Sequence, residues 1–200
     1  FTVPMYQELQ RRLGMSRVVV VQPNAYRDDN TVTLNSIRAL GNNARRVAVV
    51  KPGTPEAELE RLTKAGIRAV RIMTLHGGML GFDVMDKVVA QVHPFGWHAN
   101  IQLDGRELPK YEAQIKRLPG KFVIDHCGKF LEIVSPESKE FRSLLNLVDT
   151  GRCWVKLSPR ISKQDDFPFS DVDPLVKKLV AHTPNRLLWG SDWPHPQYFK

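Results

Sequence analysis

The sequence predicts an α/β fold with parallel strands, on the basis of two observations. First, seven short β-branched runs alternate with helical patterns along the 200 residues. These runs are almost continuously apolar, which is typical of strands covered on both faces. Second, the starts of the runs lie 21 to 34 residues apart, and an interval of that size suits one strand and one helix.

The strands and helices can be assigned in chain order from this alternation. The predicted strands are Arg17–Gln22, Arg46–Val50, Ile67–Met73, Trp97–Leu103, Phe122–His126, Cys153–Ser158 and Leu187–Asp192. Helical spacing of apolar residues occurs over Met5–Leu13, Thr33–Leu40, Val84–Val92, Glu107–Leu118, Glu137–Val148 and Asp171–Ala181. One further helix follows Thr54, with Thr54 predicted as its N-cap, Pro55 at its first position and Gly66 at its end.

Two architectures are compatible with this alternation, an open doubly wound sheet and a (β/α) barrel. A doubly wound nucleotide-binding sheet normally carries a glycine-rich phosphate fingerprint after its first strand. The first strand here is followed by Gln22-Pro23-Asn24-Ala25-Tyr26 instead. A barrel that lacks one strand at the front fits better, and we predict a single, incomplete barrel domain over residues 1–200.

Composition excludes several classes of protein. The net charge of +8 makes anionic partners plausible, but the basic residues are scattered, which argues against nucleic-acid binding. The two cysteines form no CxxC pair, so we expect neither a thiolate zinc site nor a disulfide framework, and a cytoplasmic location fits best. No apolar stretch approaches the roughly 20 residues that span a bilayer, so no membrane partner is expected. The sequence makes no prediction about oligomeric state.

Polar residues collect where the predicted strands end, which is where a parallel barrel builds its active site. These residues are Gln22, Asn24, Tyr26, Lys51, Arg71, His76, Gln102, Asp104, Asp125, His126, Ser158, Arg160, Ser191, Asp192 and His195. A single polar residue at a strand end is usually a solvated cap. Their occurrence at all seven ends is the stronger indication of a site.

Four of these residues are candidates for catalysis or binding. Asp192, between two tryptophans, suits a general base or a metal ligand, although it could simply cap a proline-rich turn. His126 could polarise a carbonyl or bind metal, or be a satisfied core histidine. Arg71 and Arg160 could hold carboxylates or form salt bridges within the rim. Asp125 and Lys156 are interpreted as a structural pair and left out of the site.

Six segments of the chain resemble one known family. They are Arg17–Tyr26 (RVVVVQPNAY), Ala65–Arg71 (AGIRAVR), Gly96–Gln102 (GWHANIQ), Val123–Gly128 (VIDHCG), Trp154–Ser158 (WVKLS) and Trp189–Pro196 (WGSDWPHP). The chain is thereby similar to the amidohydrolase-related (β/α)8 TIM-barrel family, in the branch of 2-pyrone-4,6-dicarboxylate hydrolase and related lactone hydrolases and isomerases. The resemblance implies that the chain supplies strands 2 to 8 and lacks the first strand and the last helix. The family's first strand ends in a His-x-His pair, and no such pair occurs in these 200 residues.

The resemblance also implies roles for individual residues. Asp192 matches the general base that activates water, and His126 matches the histidine near the scissile carbonyl. Arg71 and Arg160 match positions that hold substrate carboxylates. Residues that match other substrate contacts are Asn24, Tyr26 and Gln102.

These matches imply a hydrolase of a lactone or carboxylic ester, of EC 3.1.1 type, with a small anionic carboxylate substrate. Two departures from the family pattern leave the identity of the lactone substrate undecided. The loop His76-Gly77-Gly78 has no second arginine, and Gln102 stands in place of a tyrosine-like contact. A pyrone dicarboxylate, a sugar-acid lactone and a muconolactone all remain candidates.

Metal dependence separates the leading hypothesis from its main alternative. Zinc normally takes at least three protein ligands, and Gln102 stands where the family's fifth-strand histidine ligand would be. We therefore expect no bound metal or other cofactor. If zinc or another divalent ion is bound, its ligands are His126 and Asp192. The alternatives are a zinc-dependent amidohydrolase or decarboxylase on the same barrel, and an inactive incomplete barrel that only binds small anions.

Overall fold

The structure is a computed structural model that describes residues 2–158, 162, 163 and 169–195. These residues form two compact units. The first unit contains the described residues of 1–72, 77–98 and 194–200, and the second contains those of 73–76 and 99–193. The single-domain interpretation of residues 1–200 remains a prediction.

The first unit has three strands whose pairings are parallel. Its strands are β1 (Val18–Val21), β2 (Ala44–Ala48) and β3 (Ile67–Met73), and its helices are α1 (Val3–Arg12), α2 (Thr31–Leu40), α3 (Glu56–Lys64) and α4 (Phe82–Val92). β2 pairs with both β1 and β3, and the register with β3 shifts between Arg46 and Val47. α3 buries Leu59 and Leu62, and its Thr63 hydroxyl accepts a hydrogen bond of 2.7 Å from the indole of the buried Trp97.

The second unit has four parallel strands in chain order. They are β4 (His98–Gln102), β5 (Phe122–Ile124), β6 (Cys153–Leu157) and β7 (Leu187–Trp189), and the helices are α5 (Leu108–Arg117), α6 (Lys139–Val148) and α7 (Asp173–His182). The interior strand β5 is completely buried, because helices cover the sheet with apolar faces such as Phe141, Leu144 and Leu147 of α6. The Ser138 hydroxyl caps α6 by accepting a hydrogen bond from the Phe141 N–H.

The predicted alternation of strands and helices is confirmed, but several predicted ends are wrong. β5 ends at Ile124 and β7 at Trp189, so Asp125, His126 and Asp192 lie in the turns beyond the strands. The cause is the backbone, since His126 and Asp192 have φ values of 53° and 51°, which no strand accommodates.

The start of α3 also differs from the prediction. Pro55, not Thr54, occupies the N-cap position, and no side chain caps this helix. The Thr54 hydroxyl instead donates to the Lys51 carbonyl oxygen at 2.8 Å, within the turn that precedes the helix. The Thr54 hydroxyl therefore forms a hydrogen bond within this turn and does not cap the helix. Gly66 does follow the helix end, with a φ of 94°.

Within the described residues, none of the helices has the length and apolar character that crossing a membrane requires.

Candidate active site

The turn after β5 carries His126 at the carboxyl end of the second unit's sheet. His126, Cys127 and Lys129 all have φ between 52° and 54°, and Gly128 has a φ of 93°. Positive φ costs energy for residues with a Cβ, and such conformations cluster at functional sites. The position of the His126 imidazole therefore depends on an unfavourable backbone conformation, which the surrounding structure must stabilise.

Two features of the preceding loop hold this turn. Gly105 approaches it so closely that a Cβ there would lie 2.5 Å from the Gly128 carbonyl oxygen and 2.6 Å from the Phe130 ring. Asp104 is buried, and its Oδ1 accepts hydrogen bonds from the N–H groups of Arg106 and Leu131. The loop after β4 and the turn after β5 are thus fastened to each other.

Asp125, the residue before His126, forms a buried ion pair with Lys156. Its Oδ1 lies 2.7 Å from the Lys156 ammonium, and its Oδ2 accepts a hydrogen bond of 2.9 Å from the Asn100 amide. Burial by itself raises the pKa of Asp125, but the charge of Lys156 and the hydrogen bonds from Lys156 and Asn100 bring that pKa below its ordinary value. The interpretation of Asp125 and Lys156 as a pair is therefore confirmed.

His126 forms a hydrogen bond with Ser158 and is influenced by the charge of a second carboxylate, that of Asp192. Its Nδ1 is 2.5 Å from the hydroxyl oxygen of the buried Ser158, which follows β6. Burial lowers the pKa of His126, while the negative charges of Asp125 and Asp192 act in the opposite direction; the net shift is downward. The lowered pKa favours the neutral ring, and the charge of Asp192, in the same unit, acts on His126.

Asp192 lies in the turn that follows β7. The Gly190 N–H donates to the Leu157 carbonyl oxygen, and the Trp193 N–H donates to the Ser191 hydroxyl. The first bond joins the turn to the end of β6, and the second lies within the turn. Asp192 itself is half-buried and has the same left-handed backbone conformation as His126. Gln102, another predicted site residue, is buried at the end of β4, and its carbonyl oxygen accepts a hydrogen bond from the Thr74 N–H.

Arg71, Asn24 and Tyr26 belong to the first unit. Arg71, on β3, donates from Nη1 to the carbonyl oxygen of the buried Gln22 at 2.5 Å. The Gln22 side chain donates to the carbonyl oxygens of Arg27 and Asp29, which shapes the turn that carries Asn24 and Tyr26. Asn24 is half-buried and Tyr26 is exposed.

Arg160, the second predicted carboxylate-binding arginine, lies outside the described residues.

The donor set among the described residues does not match a zinc site. Among the described residues, no group of three or more His, Cys, Asp and Glu side chains is arranged to hold a metal ion. His126 and Asp192 provide two donors, and the Gln102 amide is a weaker, harder donor that suits Ca²⁺ or Mg²⁺ better than zinc. We therefore derive no chemical step through a metal, and metal independence remains a prediction.

The contact between Ser158 and His126 was not predicted from the sequence, although a usable indication existed. Ser158 was noted only as one of the polar residues at strand ends. It stands two positions after Lys156, and residues two apart along a strand point to the same face. Lys156 was already paired with Asp125, the neighbour of His126, so the same alternation directs Ser158 toward this region.

Comparison with known proteins decides the family. The amidohydrolase family model matches residues 1–200, the entire chain. The chain belongs to the amidohydrolase family. The predicted family and the predicted fold class, an α/β amidohydrolase barrel of which the described residues form seven strands, are confirmed.

Similar proteins indicate which branch of the amidohydrolase family this chain resembles. This amidohydrolase is 34% identical to D-galactarolactone isomerase of Agrobacterium fabrum, over 95% of this chain and 65% of that protein. It is 31% identical to 2-pyrone-4,6-dicarboxylate hydrolase of Comamonas testosteroni, over 94% of this chain and 66% of that protein. A crystal structure of an Agrobacterium tumefaciens protein without ligand superposes with a TM-score of 0.91 and 32% identity, over 98% of this chain and 72% of that one.

The chain thus spans about two thirds of the length of the curated relatives that it matches. The predicted branch of lactone hydrolases and isomerases is confirmed by these relatives.

Proposed function

We propose that this amidohydrolase hydrolyses a small carboxylated lactone or cyclic ester, with Asp192 as general base. The proposal is supported by the position of His126, which is half-buried in the turn after β5, where burial lowers its pKa and the charge of Asp192 acts on it. The relatives support the substrate class, because one is named for a pyrone dicarboxylate and another for the lactone of a sugar diacid.

The two side chains divide the reaction between them. Asp192 takes a proton from water, and the water oxygen forms a bond to the lactone carbonyl carbon. His126 polarises the carbonyl and stabilises the negative charge that develops on its oxygen. The bond between the carbonyl carbon and the ring oxygen then breaks, and the departing oxygen recovers the proton from Asp192. The product is the open-chain hydroxy acid or its tautomer.

The neighbouring ion pair keeps the roles of the two carboxylates distinct. Asp125 is also close to His126, but both of its oxygens are occupied by Lys156 and Asn100. A carboxylate held in this way cannot accept a proton from water without breaking the ion pair. Asp192 is therefore the better candidate for the base.

Substrate binding is assigned to residues at other strand ends. We assign to Arg71 and Arg160 the binding of substrate carboxylates, and to Asn24, Tyr26 and Gln102 further substrate contacts. A guanidinium group suits this task because its planar N–H groups match the two oxygens of a carboxylate.

A second candidate reaction is isomerisation of a lactone, favoured by the 34% identity with the galactarolactone isomerase. In that case a hydroxyl group of the substrate replaces water as the nucleophile, and Asp192 takes the proton from that hydroxyl group. The requirement for a polarised carbonyl near His126 is the same. The two reactions differ in whether an oxygen atom from water enters the product.

One experiment tests the function and separates the two reactions. The full-length protein is incubated in H₂¹⁸O with 2-pyrone-4,6-dicarboxylate, a sugar-acid lactone, a muconolactone and an uncharged lactone, and products are analysed by mass spectrometry. Hydrolysis predicts one ¹⁸O per ring-opened carboxylated product and little turnover of the uncharged lactone. A rearranged lactone without ¹⁸O indicates the isomerase. Binding of carboxylated lactones without turnover would favour the inactive anion-binding alternative and contradict the proposal.

A further inference from the structure

The contact between Ser158 and His126 is a short hydrogen bond in a buried setting. The distance from the Ser158 hydroxyl oxygen to Nδ1 of His126 is 2.5 Å, and Ser158 is only 5% exposed. A histidine nitrogen can donate or accept, depending on which nitrogen carries the proton. The direction of this bond therefore determines what the other nitrogen, Nε2, offers to a substrate.

The surroundings of Ser158 determine that direction. Among the residues that the structure describes, Nδ1 of His126 is the only group within hydrogen-bonding reach of the Ser158 hydroxyl. If Nδ1 carried a proton and donated it, the hydroxyl proton would be buried without an acceptor, which is unfavourable. The hydroxyl proton is satisfied only when Ser158 donates to a bare Nδ1.

Asp125 does not compete for this nitrogen. A carboxylate that accepts from Nδ1–H is the usual way to fix a catalytic histidine in the opposite sense. Here the Asp125 oxygens are taken by Lys156 at 2.7 Å and Asn100 at 2.9 Å. The serine is thus the described group that orients the ring.

Nε2 is the nitrogen left for a ligand. It makes no hydrogen bond with any described residue. It is also not one of the fully buried side-chain atoms that lack a hydrogen-bond partner.

We propose that Ser158 is a positioning residue that holds His126 in the tautomer with its proton on Nε2. This inference rests on the proposed function, in which His126 polarises the carbonyl. Nε2–H then donates to the carbonyl oxygen as negative charge develops there. The same tautomer has no lone pair on Nε2, so it does not suit coordination of a metal through that atom.

Gly190 allows Ser158 to occupy this place. A Cβ at position 190 would lie 3.2 Å from the Ser158 Cβ and 3.5 Å from its hydroxyl oxygen. A side chain at position 190 would therefore press on Ser158 without removing its hydroxyl group. Gly190→Ala is a second, independent way to disturb the same hydrogen bond.

The tautomer is measured by ¹⁵N NMR of ring-labelled histidines in the protein without substrate, with the His126 signals assigned from the spectrum of His126→Gln. In the parent protein we expect Nε2 to be protonated and Nδ1 to be bare and hydrogen-bonded. Ser158→Ala and Gly190→Ala should shift the Nδ1 signal, whereas Ser158→Thr, which keeps the hydroxyl group, should restore it. The matched control is Ser143→Ala, which changes another serine of 5% exposure in the same unit and should leave the His126 signals unchanged.

Turnover supplies a second readout. We expect Ser158→Ala to lower kcat by about 10- to 100-fold with KM nearly unchanged, the size usual for groups that orient an active side chain. A proton on Nδ1 of the parent protein would overturn the inference, as would a covalent acyl adduct on Ser158. The NMR result stands apart from the proposed function, because it needs no turnover. Failure of every lactone to react would reject that function alone.

Discussion

In the proposed reaction Asp192 takes a proton from water, so the chemical identity of its side chain matters more than its shape. Asp192→Asn preserves the size of the side chain but cannot accept that proton. We expect kcat to fall by about 10²- to 10⁴-fold, the usual contribution of a general base, while substrate binding changes little. The measurement is steady-state kinetics on the best lactone, with binding followed by calorimetry.

The matched control for Asp192 is Asp149, an aspartate that pairs with His182 at 2.6 Å on the surface of the same unit. Asp149→Asn should leave kcat unchanged. If Asp192→Asn retained more than a tenth of the parent kcat, another group would have to be the base.

Arg71 is predicted to act in binding and not in the chemical step. Arg71→Met removes a hydrogen-bonding cation from the end of β3. A lost charged hydrogen bond is worth about 1.5–3 kcal/mol, which corresponds to a rise in KM of about 10- to 150-fold, with a smaller change in kcat. Arg68→Met, on the same strand, is the control, since Arg68 only donates to the carbonyl oxygens of Thr63 and Ile67. Equal loss of activity toward charged and uncharged lactones in Arg71→Met would contradict the assignment.

Arg46 carries a charge that the described structure does not compensate. It is completely buried on β2, and its three guanidinium nitrogens have no hydrogen-bond partner among the described residues. Burial lowers its pKa to about 10. A buried, unpaired charge is unfavourable, and replacing buried charges with apolar side chains of similar volume is often stabilising.

Arg46→Met should therefore raise the free energy of unfolding of this chain, by about 1–4 kcal/mol. The neighbouring Arg45 is exposed, so Arg45→Met should change that free energy by no more than about 0.5 kcal/mol. Both values come from urea denaturation. A loss of stability in Arg46→Met would mean that the guanidinium group has a partner that contributes to folding.

At the scale of the elements, the turn after β5 depends on the close approach of Gly105. Gly105→Ala would place a methyl group against the Gly128 carbonyl oxygen and the Phe130 ring. We expect a loss of about 1–3 kcal/mol of unfolding free energy from overpacking, together with a lower kcat because His126 lies in the displaced turn.

The control for Gly105 is Gly53→Ala, since a methyl group at position 53 meets open space and only the backbone, with its φ of 81°, is strained. This substitution should cost about 1 kcal/mol and leave kcat unchanged. Equal kcat values for Gly105→Ala and the parent would show that the turn does not depend on this packing.

The order of the elements was predictable, whereas several of their ends were not. β3 was predicted at its observed bounds because its apolar run is long and clearly delimited. β5 and β7 end earlier than predicted because His126 and Asp192 adopt left-handed backbone conformations. Asp and His adopt such conformations more often than most residues, but tertiary structure decides which individual residues do so. The prediction of Thr54 as an N-cap was also wrong because of local structure, since its hydroxyl group forms a hydrogen bond in the preceding turn.

At the scale of the whole molecule, the family and the polar strand ends were predictable, but the connections between side chains were not. The motif around Asp192 and the strand before His126 indicated the family that the comparisons show. The burial that lowers the pKa of His126 and the serine hydroxyl at its Nδ1 depend on contacts between β5 and β6. Such contacts bring together residues that are 32 positions apart, a relation that periodicity within single elements does not encode.

In the proposed reaction, a carboxylate and a histidine open a carboxylated lactone without a metal ion. The described residues offer His126 and Asp192 but no third His, Cys, Asp or Glu ligand arranged with them. Metal dependence is therefore the property that most sharply separates the proposed hydrolase from the zinc-dependent amidohydrolase or decarboxylase.

The most direct measurement is the rate of lactone ring opening by the full-length protein before and after dialysis against a chelator, with bound metal quantified in both samples. The proposed mechanism predicts the same kcat in both samples and much less than one metal ion per chain after dialysis. Loss of activity on chelation, recovered when Zn²⁺ is added back at about one ion per chain, the stoichiometry of a mononuclear catalytic site, would contradict the claim.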